Sequence, residues 1–203
     1  MKAINVYAGT GTLTRAFRNQ GVEIVWAQEE SDIAAQVYQY NFPDIPFYKG
    51  KMQEIDFSKI PECDLLLASV RLSQFRLVES IPFKKSRNEY TEIQKHELEC
   101  LKQLIIYKRP KAVCLILPVN SSNVKREIIE ILMNHRYFFS YQVMNGEQHG
   151  GVPFKGRKMY IVGFGSVNEL DMFDFPSITK QSLGISQLLD RSHRKEEIYY
   201  RLP

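Results

Sequence analysis

The chain has 203 residues, of which 44% are hydrophobic and 25% are charged, and its formal net charge is +4 at pH 7. This composition is typical of a globular domain with a sizeable core, and the modest positive charge permits a nucleic-acid partner without requiring one. The three cysteines are odd in number and lack the spacing of metal ligands, so we predict a reducing compartment and no metal site. No apolar run approaches the ~20 residues of a membrane span. We therefore expect a soluble intracellular chain, cytoplasmic or, in a eukaryote, nuclear.

Strand-like and helix-like segments alternate along the chain. Short apolar runs predict strands at residues 3–7, 23–27, 65–69, 112–117, 137–144 and 159–164. Helical periodicity predicts helices at about residues 13–19, 31–40, 96–108 and 123–133, with Ser31 as an N-cap and Gly21 ending the first helix. Helices between strands imply parallel pairing through right-handed crossovers, so we predict an α/β fold with a doubly wound, mostly parallel sheet. The pattern weakens after residue 167, which predicts a domain over residues 1–167 and a tail over residues 168–203.

A glycine-rich loop follows the first predicted strand. Gly9 and Gly11 permit a tight turn and close backbone approach, and the helix that follows favours a polar or anionic ligand. Such glycines also occur for packing alone. Glu29, at the end of the second strand, places a carboxylate where it can accept hydrogen bonds from ribose hydroxyls. Together the loop and the acid predict a nucleoside-type ligand.

Five fragments follow one another in a fixed order along residues 3–164. They are NVYAGTGT at residues 5–12, AQE at 27–29 followed by Tyr38 and by NFP at 41–43, RPKA at 109–112, GVP at 151–153 and YIVGF at 160–164. In this order and spacing they resemble motifs of the DNA cytosine-5 methyltransferases. The corresponding motifs of that family read D-L-F-x-G-x-G-G, A-x-E with Y and N-x-P, and R-P-K before E-N-V, and the last two fragments frame its Q-x-R-x-R.

The resemblance implies a Rossmann-like methyltransferase fold that uses S-adenosylmethionine. The positions that would bind this cofactor are Tyr7, Gly9, Gly11 and Glu29. Two departures weaken the expectation. Thr12 replaces the family's third glycine, and Lys51 stands where the family has the aspartate that binds the adenine amino group. Because losing such a contact costs about 1–3 kcal/mol, we expect weak binding at best, and the alternative is an empty or collapsed pocket.

The stretch that follows the strand at residues 65–69 lacks the family's nucleophile. There the resemblance implies G-F-P-C-Q-P-F-S, whose cysteine attacks the cytosine ring, but Leu72 occupies the cysteine position. Covalent catalysis needs a nucleophile such as a thiolate, which leucine cannot supply. Ser73 has no evident base beside it, Cys63 lies at the other end of the strand, and Cys114 falls in the middle of the next one. We predict no catalytic residues.

The remaining catalytic motifs are also altered. After RPK at residues 109–111 the chain reads CLILPV at 114–119, without the family's glutamate, and FKGRK at 154–158 keeps basic character without the Q-x-R-x-R spacing. Loss of nucleophile and acid removes both halves of the family's mechanism, each worth orders of magnitude in rate. We therefore predict that the chain is inactive on its own.

The resemblance covers only the catalytic half of the family, so we expect the target-recognition domain to be lacking and a partner to cover exposed apolar surface. The leading hypothesis is a non-catalytic or regulatory subunit in a hetero-oligomer with an active methyltransferase or another DNA-processing protein. The alternatives are a split DNA or tRNA methyltransferase that a partner completes, and a module that senses S-adenosylmethionine or a nucleotide. A homodimer is the second choice of assembly.

Two basic clusters suggest DNA contact, because lysine and arginine bind phosphates without reading sequence. Their members are Lys84, Lys85, Arg87, Lys155, Arg157 and Lys158. Solvated loop charges are the alternative explanation.

Overall fold

The computed structural model describes residues 1–70, 92–119, 122–151 and 155–178. Its strands are β1 (Lys2–Val6), β2 (Glu23–Glu29), β3 (Phe47–Lys49), β4 (Leu65–Ser69), β5 (Ala112–Pro118), β6 (Phe138–Asn145) and β7 (Arg157–Phe164). Its helices are α1 (Thr12–Arg18), α2 (Asp32–Asn41), α3 (Glu92–Lys108), α4 (Ser122–Asn134), α5 (Gly146–Gly150) and α6 (Val167–Asp171). Short 3-10 turns lie at Met52–Glu54 and Phe57–Lys59.

In the described part of the chain, seven strands form one sheet in the order β3-β2-β1-β4-β5-β7-β6. Neighbours from β3 to β5 pair in parallel, whereas β7 runs antiparallel to β5. The predicted α/β fold with a mostly parallel sheet is therefore confirmed. Because β1 lies between β2 and β4, the chain reverses its direction of winding there, and ligands bind at such switch points in open α/β sheets.

Apolar side chains cover both faces of the central strands. In β4, Leu66 packs into a cluster with α3 and α4, whereas Leu65 and Leu67 pack into a second cluster with α2. This alternation explains why the strand is apolar at every position, since a strand covered by helices on both faces has no solvated side.

Several short elements were not predicted. β3 has three residues, too few for the alternation that predicts a strand, and α5 and α6 have five residues each. α3 begins at Glu92, four residues before the predicted start. These differences concern lengths and ends, where sequence patterns are least informative.

The chain forms two compact units. The first comprises Met1–Val143 and Lys158–Phe175, and the second comprises Met144–Arg157 and Pro176–Pro203. The predicted boundary after residue 167 stays a prediction. Among the described helices, none combines the length and apolar character that a membrane span requires.

Candidate cofactor site

The loops after β1 and β2 lie side by side because these strands are parallel neighbours. The Ala8 N–H donates to the Gln28 carbonyl oxygen at 2.9 Å, which extends the pairing beyond the end of β1. Tyr7, Gly9 and Gly11 all have positive φ, at 50°, 59° and 94°. Glycine adopts this region without a steric penalty, whereas Tyr7 is held there by its contacts.

Glu29 joins the two loops. Its Oε2 accepts a hydrogen bond from the Gly9 N–H at 2.7 Å, and its Oε1 accepts one from the Ser31 N–H at 2.9 Å. Glu29 is 3% exposed, so its carboxylate is buried against these two backbone donors. The structure thus brings together the predicted residues Gly9 and Glu29, with the carboxylate holding the loops in place.

Gln28 is a site residue that the sequence did not reveal. Its Oε1 accepts a hydrogen bond from the Tyr7 N–H at 3.0 Å, and its Nε2 donates to the Gly50 carbonyl oxygen at 2.6 Å. It is fully buried, and it connects the loop after β1 to the chain that follows β3. An uncharged polar residue at the end of a buried strand is the signal that marks such a connection.

A buried chain of hydrogen bonds lies beneath the glycine loop. Asn5 Nδ2 donates to Thr14 Oγ1 at 2.9 Å, and Thr14 Oγ1 lies 2.7 Å from the Tyr38 hydroxyl. Burial raises the pKa of Tyr38 to about 12, so the hydroxyl stays protonated at neutral pH. Asn5 Oδ1 has no partner among the described residues. The network fixes α1 against β1 and α2.

Gly11 is in contact with the end of α2. A methyl group added at Gly11 would overlap the Phe42 ring and would lie 3.1 Å from the ring of Tyr38. The Arg15 guanidinium also contacts Phe42 and lies 5.3 Å from the centre of its ring. This glycine therefore serves packing within the protein, one of the two explanations that its sequence left open.

Tyr7 points toward α3. Its hydroxyl donates to the Glu97 carbonyl oxygen at 2.9 Å, and burial raises the pKa of the phenol far above its ordinary range. Beside it lies a small cavity of about 50 Å³ lined by Tyr7, Glu29, Glu30, Ser31 and Glu97. Glu29 fits the role of ribose acceptor, and this cavity lies beside its carboxylate.

Lys51 is exposed. It is not among the donors described for the Glu29 carboxylate, which are the backbone N–H groups of Gly9 and Ser31. The neighbouring Lys49 binds Asp32 instead, with 2.7 Å between Nζ and Oδ1. A cation thus stands at the position where the resemblance implies an acceptor for the adenine amino group.

Two strand ends mark the place where the resemblance implies the catalytic residues. β4 and β5 pair in register up to Ser69 and Ile116, and the Val70 N–H donates to the Ile116 carbonyl oxygen at 3.0 Å. Val70 is buried, and β5 ends at Pro118 without an acid. Leu72 and Ser73 lie outside the described residues.

The cysteines do not lie at these strand ends. Cys63 precedes β4, Cys100 lies on α3, and Cys114 lies within β5. Burial raises the pKa of Cys63 to about 11 and that of Cys114 to about 12, and it also raises the pKa of Cys100. Because the thiolate is the reactive form, all three are poor nucleophiles at neutral pH.

The predicted DNA contacts are described only in part. Lys155, Arg157 and Lys158 are each exposed, as phosphate contacts must be. Lys84, Lys85 and Arg87 lie outside the described residues. DNA contact by either cluster stays a prediction.

Comparison with known proteins first identifies the class. The structure resembles the Entamoeba histolytica methyltransferase EhMeth with a TM-score of 0.69 and 15% identity, over 96% of this chain and 61% of that one. Together with the strand order, this defines a Rossmann-like methyltransferase fold.

Sequence comparison then gives the family. Residues 1–70 match the model of the C-5 cytosine-specific DNA methylases. The type II methyltransferase M.Bsp6I of Bacillus sp. (strain RFL6) is 25% identical over 98% of this chain, and M.NgoBI of Neisseria gonorrhoeae is 28% identical over 98%. The chain spans 64% and 61% of the length of these two relatives. These matches confirm the predicted resemblance: the chain is similar to the DNA cytosine-5 methyltransferases.

Proposed function

We propose that this chain is a non-catalytic relative of the DNA cytosine-5 methyltransferases. The observation that supports the proposal most directly is the replacement of the family's nucleophile by Leu72. Each of the three cysteines lies away from the carboxyl ends of β4 and β5 and has a raised pKa. Without a thiolate beside the base, the covalent adduct cannot form and the reaction loses its usual acceleration.

The test is methyl transfer from labelled S-adenosylmethionine to DNA and to tRNA. We expect no incorporation above background from purified protein, whereas an active relative such as M.NgoBI in the same buffer labels DNA. Incorporation that co-purifies with the chain after removal of host methyltransferases would contradict the proposal. If methyl incorporation required a second chain, this result would favour the alternative of a split enzyme.

We also propose that the chain acts with a protein partner, in a hetero-oligomer with an active methyltransferase or another DNA-processing subunit. The support is indirect: an inactive domain of an enzyme family has a use when it lends structure or DNA affinity to an active chain. Co-purification from native extract under conditions that preserve complexes tests this proposal, and a methyltransferase recovered in fixed proportion is the expected result.

The second candidate function is a module that senses S-adenosylmethionine. The observation in its favour is the junction of Gly9 and Glu29 at the switch point of the sheet. Against tight binding stands Lys51, at the position where the family has the aspartate that binds the adenine amino group. By calorimetry we expect a dissociation constant no tighter than roughly 100 μM.

A matched pair of variants separates binding from background heat. Glu29→Gln removes the charge at the site, whereas Glu23→Gln, at the exposed start of β2, removes a charge away from it. A tight interaction that Glu29→Gln alone abolishes would place the sensing function first.

A further inference from the structure

β6 forms one edge of the sheet. It pairs with β7 on one side, and no strand among the described residues pairs with its other side. The opposite edge of the sheet is β3, which has three residues and ends at Lys49. A short, charged edge is a usual protection against pairing with another chain. β6 has eight residues and, within the part of the chain that the structure describes, is the longer edge with one unpaired side.

The sequence of β6, FFSYQVMN, contains no charged residue and no proline. Natural edge strands commonly use charges, prolines or bulges to prevent association. β6 also exposes large apolar side chains: Phe138 is 44% exposed, Tyr141 is 47% exposed and Val143 is 37% exposed. An uncharged strand of this length, unpaired on one side among the described residues, is suited to accept another strand.

We propose that β6 pairs antiparallel with β6 of a second copy of this chain, around a two-fold axis at Tyr141. In this register Tyr141 lies opposite Tyr141, Phe139 opposite Val143, and Phe138 opposite Met144. Each of these pairs is apolar on both sides, and aromatic and β-branched residues stabilise antiparallel pairs when they face each other. The remaining pair, Ser140 with Gln142, is polar on both sides.

The register is specific. A shift of two residues is the smallest that keeps every side chain on its own face of the sheet. In one direction this shift places Ser140 opposite Met144, and in the other it places Phe138 opposite Gln142. Both alternatives oppose polar and apolar side chains, so the arrangement centred on Tyr141 is the self-complementary one.

The flanks of the strand favour the same partner. Arg136 precedes β6 and Glu147 follows it, separated from the strand by one residue each. Antiparallel pairing brings the beginning of one strand beside the end of the other, so Arg136 of one copy lies near the first turn of α5, which carries Glu147, of the other. A second copy thus provides both the apolar and the charge complementarity, as an interface between identical surfaces requires.

The pairing would join two seven-stranded sheets edge to edge. It uses the edge of the sheet furthest from β2 and β3, so the pairing itself does not involve the carboxyl ends of β1 and β2. It does not depend on whether the chain methylates, senses a cofactor or binds a methyltransferase.

Light scattering of the full chain after size exclusion tests the proposal. We expect the wild-type protein to have twice the mass of the 23.7 kDa chain. Tyr141→Lys and Tyr141→Glu each place like charges opposite each other at the axis, so each variant alone is expected to dissociate at least about tenfold more readily. An equimolar mixture of the two variants is expected to regain the dimer, since lysine then faces glutamate.

Two controls accompany these variants. Tyr40→Lys changes a tyrosine that is 87% exposed on α2, and it should leave the dimer unchanged. Lys125 lies 4.2 Å from the centre of the Tyr141 ring, so Tyr141→Lys adds repulsion within each copy, whereas Tyr141→Glu adds attraction. Circular dichroism shows whether each variant is folded.

A wild-type chain that is monomeric at about 100 μM would overturn the proposal, because so weak an association is not a stable interface. The proposal would also be overturned if Tyr141→Lys and Tyr141→Glu were both folded and both remained dimeric. Should the variants not fold, hydrogen exchange of the wild type decides: amide protection across residues 138–144 must rise with protein concentration, and constant protection would refute the pairing.

Discussion

Gly11 is constrained from two directions at once. Its φ of +94° lies in the region that side chains rarely adopt, and the Phe42 ring fills the space where a Cβ atom would be. Glycine is required here because the backbone has a positive φ, and because a Cβ atom would overlap the Phe42 ring. A residue that the sequence presents as a candidate for cofactor approach is thus required by the fold alone.

We predict that Gly11→Ala lowers the free energy of unfolding by about 2–4 kcal/mol, from overpacking together with the unfavourable backbone conformation. Gly21→Ala is the matched control, because Gly21 also has a positive φ of +79° but has no atom within 4 Å of the added Cβ. Gly21→Ala is expected to lower the free energy of unfolding by about 1 kcal/mol, because only the backbone conformation is unfavourable. Urea denaturation measures the free energy of unfolding of both variants. If both lost the same amount, the contact between Gly11 and Phe42 would be unimportant for stability.

At the scale of elements, hydrogen bonds from side chains to the backbone hold the loops at the carboxyl ends of the strands. Glu29 connects the loop after β1 to the start of α2, and Gln28 connects that same loop to Gly50. Tyr7 extends the connection to α3 through the Glu97 carbonyl. These loops are therefore arranged by contacts within the protein, without any ligand.

The contact between Tyr7 and α3 gives a prediction for this scale. Tyr7→Phe removes the hydroxyl that donates to the Glu97 carbonyl at 2.9 Å and should lower the free energy of unfolding by about 1 kcal/mol. Tyr40→Phe, at an exposed position on α2, should change it by less than about 0.5 kcal/mol. Urea denaturation compares the two variants, and hydrogen exchange should show faster opening of α3 only in Tyr7→Phe. Indistinguishable variants would mean that this hydrogen bond does not stabilise the fold.

At the scale of the whole molecule, activity requires groups from several strands at one edge of the sheet. The family's nucleophile and acid follow β4 and β5, and this chain has Leu72 after the first and Pro118-Val119 at the end of the second. The fold is retained because it depends on the apolar runs and the crossovers, which these substitutions leave intact. A retained fold is therefore compatible with the proposed loss of activity.

We accordingly predict that Leu72→Cys alone does not restore methyl transfer, because the acid after β5 is still absent. The measurement is labelled methyl incorporation into DNA, with Leu72→Ser as the control for a polar side chain without a thiol. A covalent protein–DNA adduct or any incorporation by Leu72→Cys would show that the remaining site is complete enough to act.

The amino-acid sequence by itself determined the architecture and the family. Uninterrupted apolar runs such as residues 65–68 predict strands buried on both faces, and the order of short motifs predicts the methyltransferase relationship. The replacement of the nucleophile is likewise visible in sequence, because Leu72 occupies a position fixed by its neighbours. All of these are local patterns, which the chain displays before it folds.

Only the tertiary structure decided what the residues of the candidate site contact. Gln28 joins Tyr7 to Gly50, and Phe42 fills the space beside Gly11, although these residues are far apart in the chain. The place of β6 at the edge of the described sheet also emerges only from the order of strands. Contacts between distant residues depend on crossovers and strand register, which leave no periodic pattern in the sequence; this is the physical reason that local composition could not predict them.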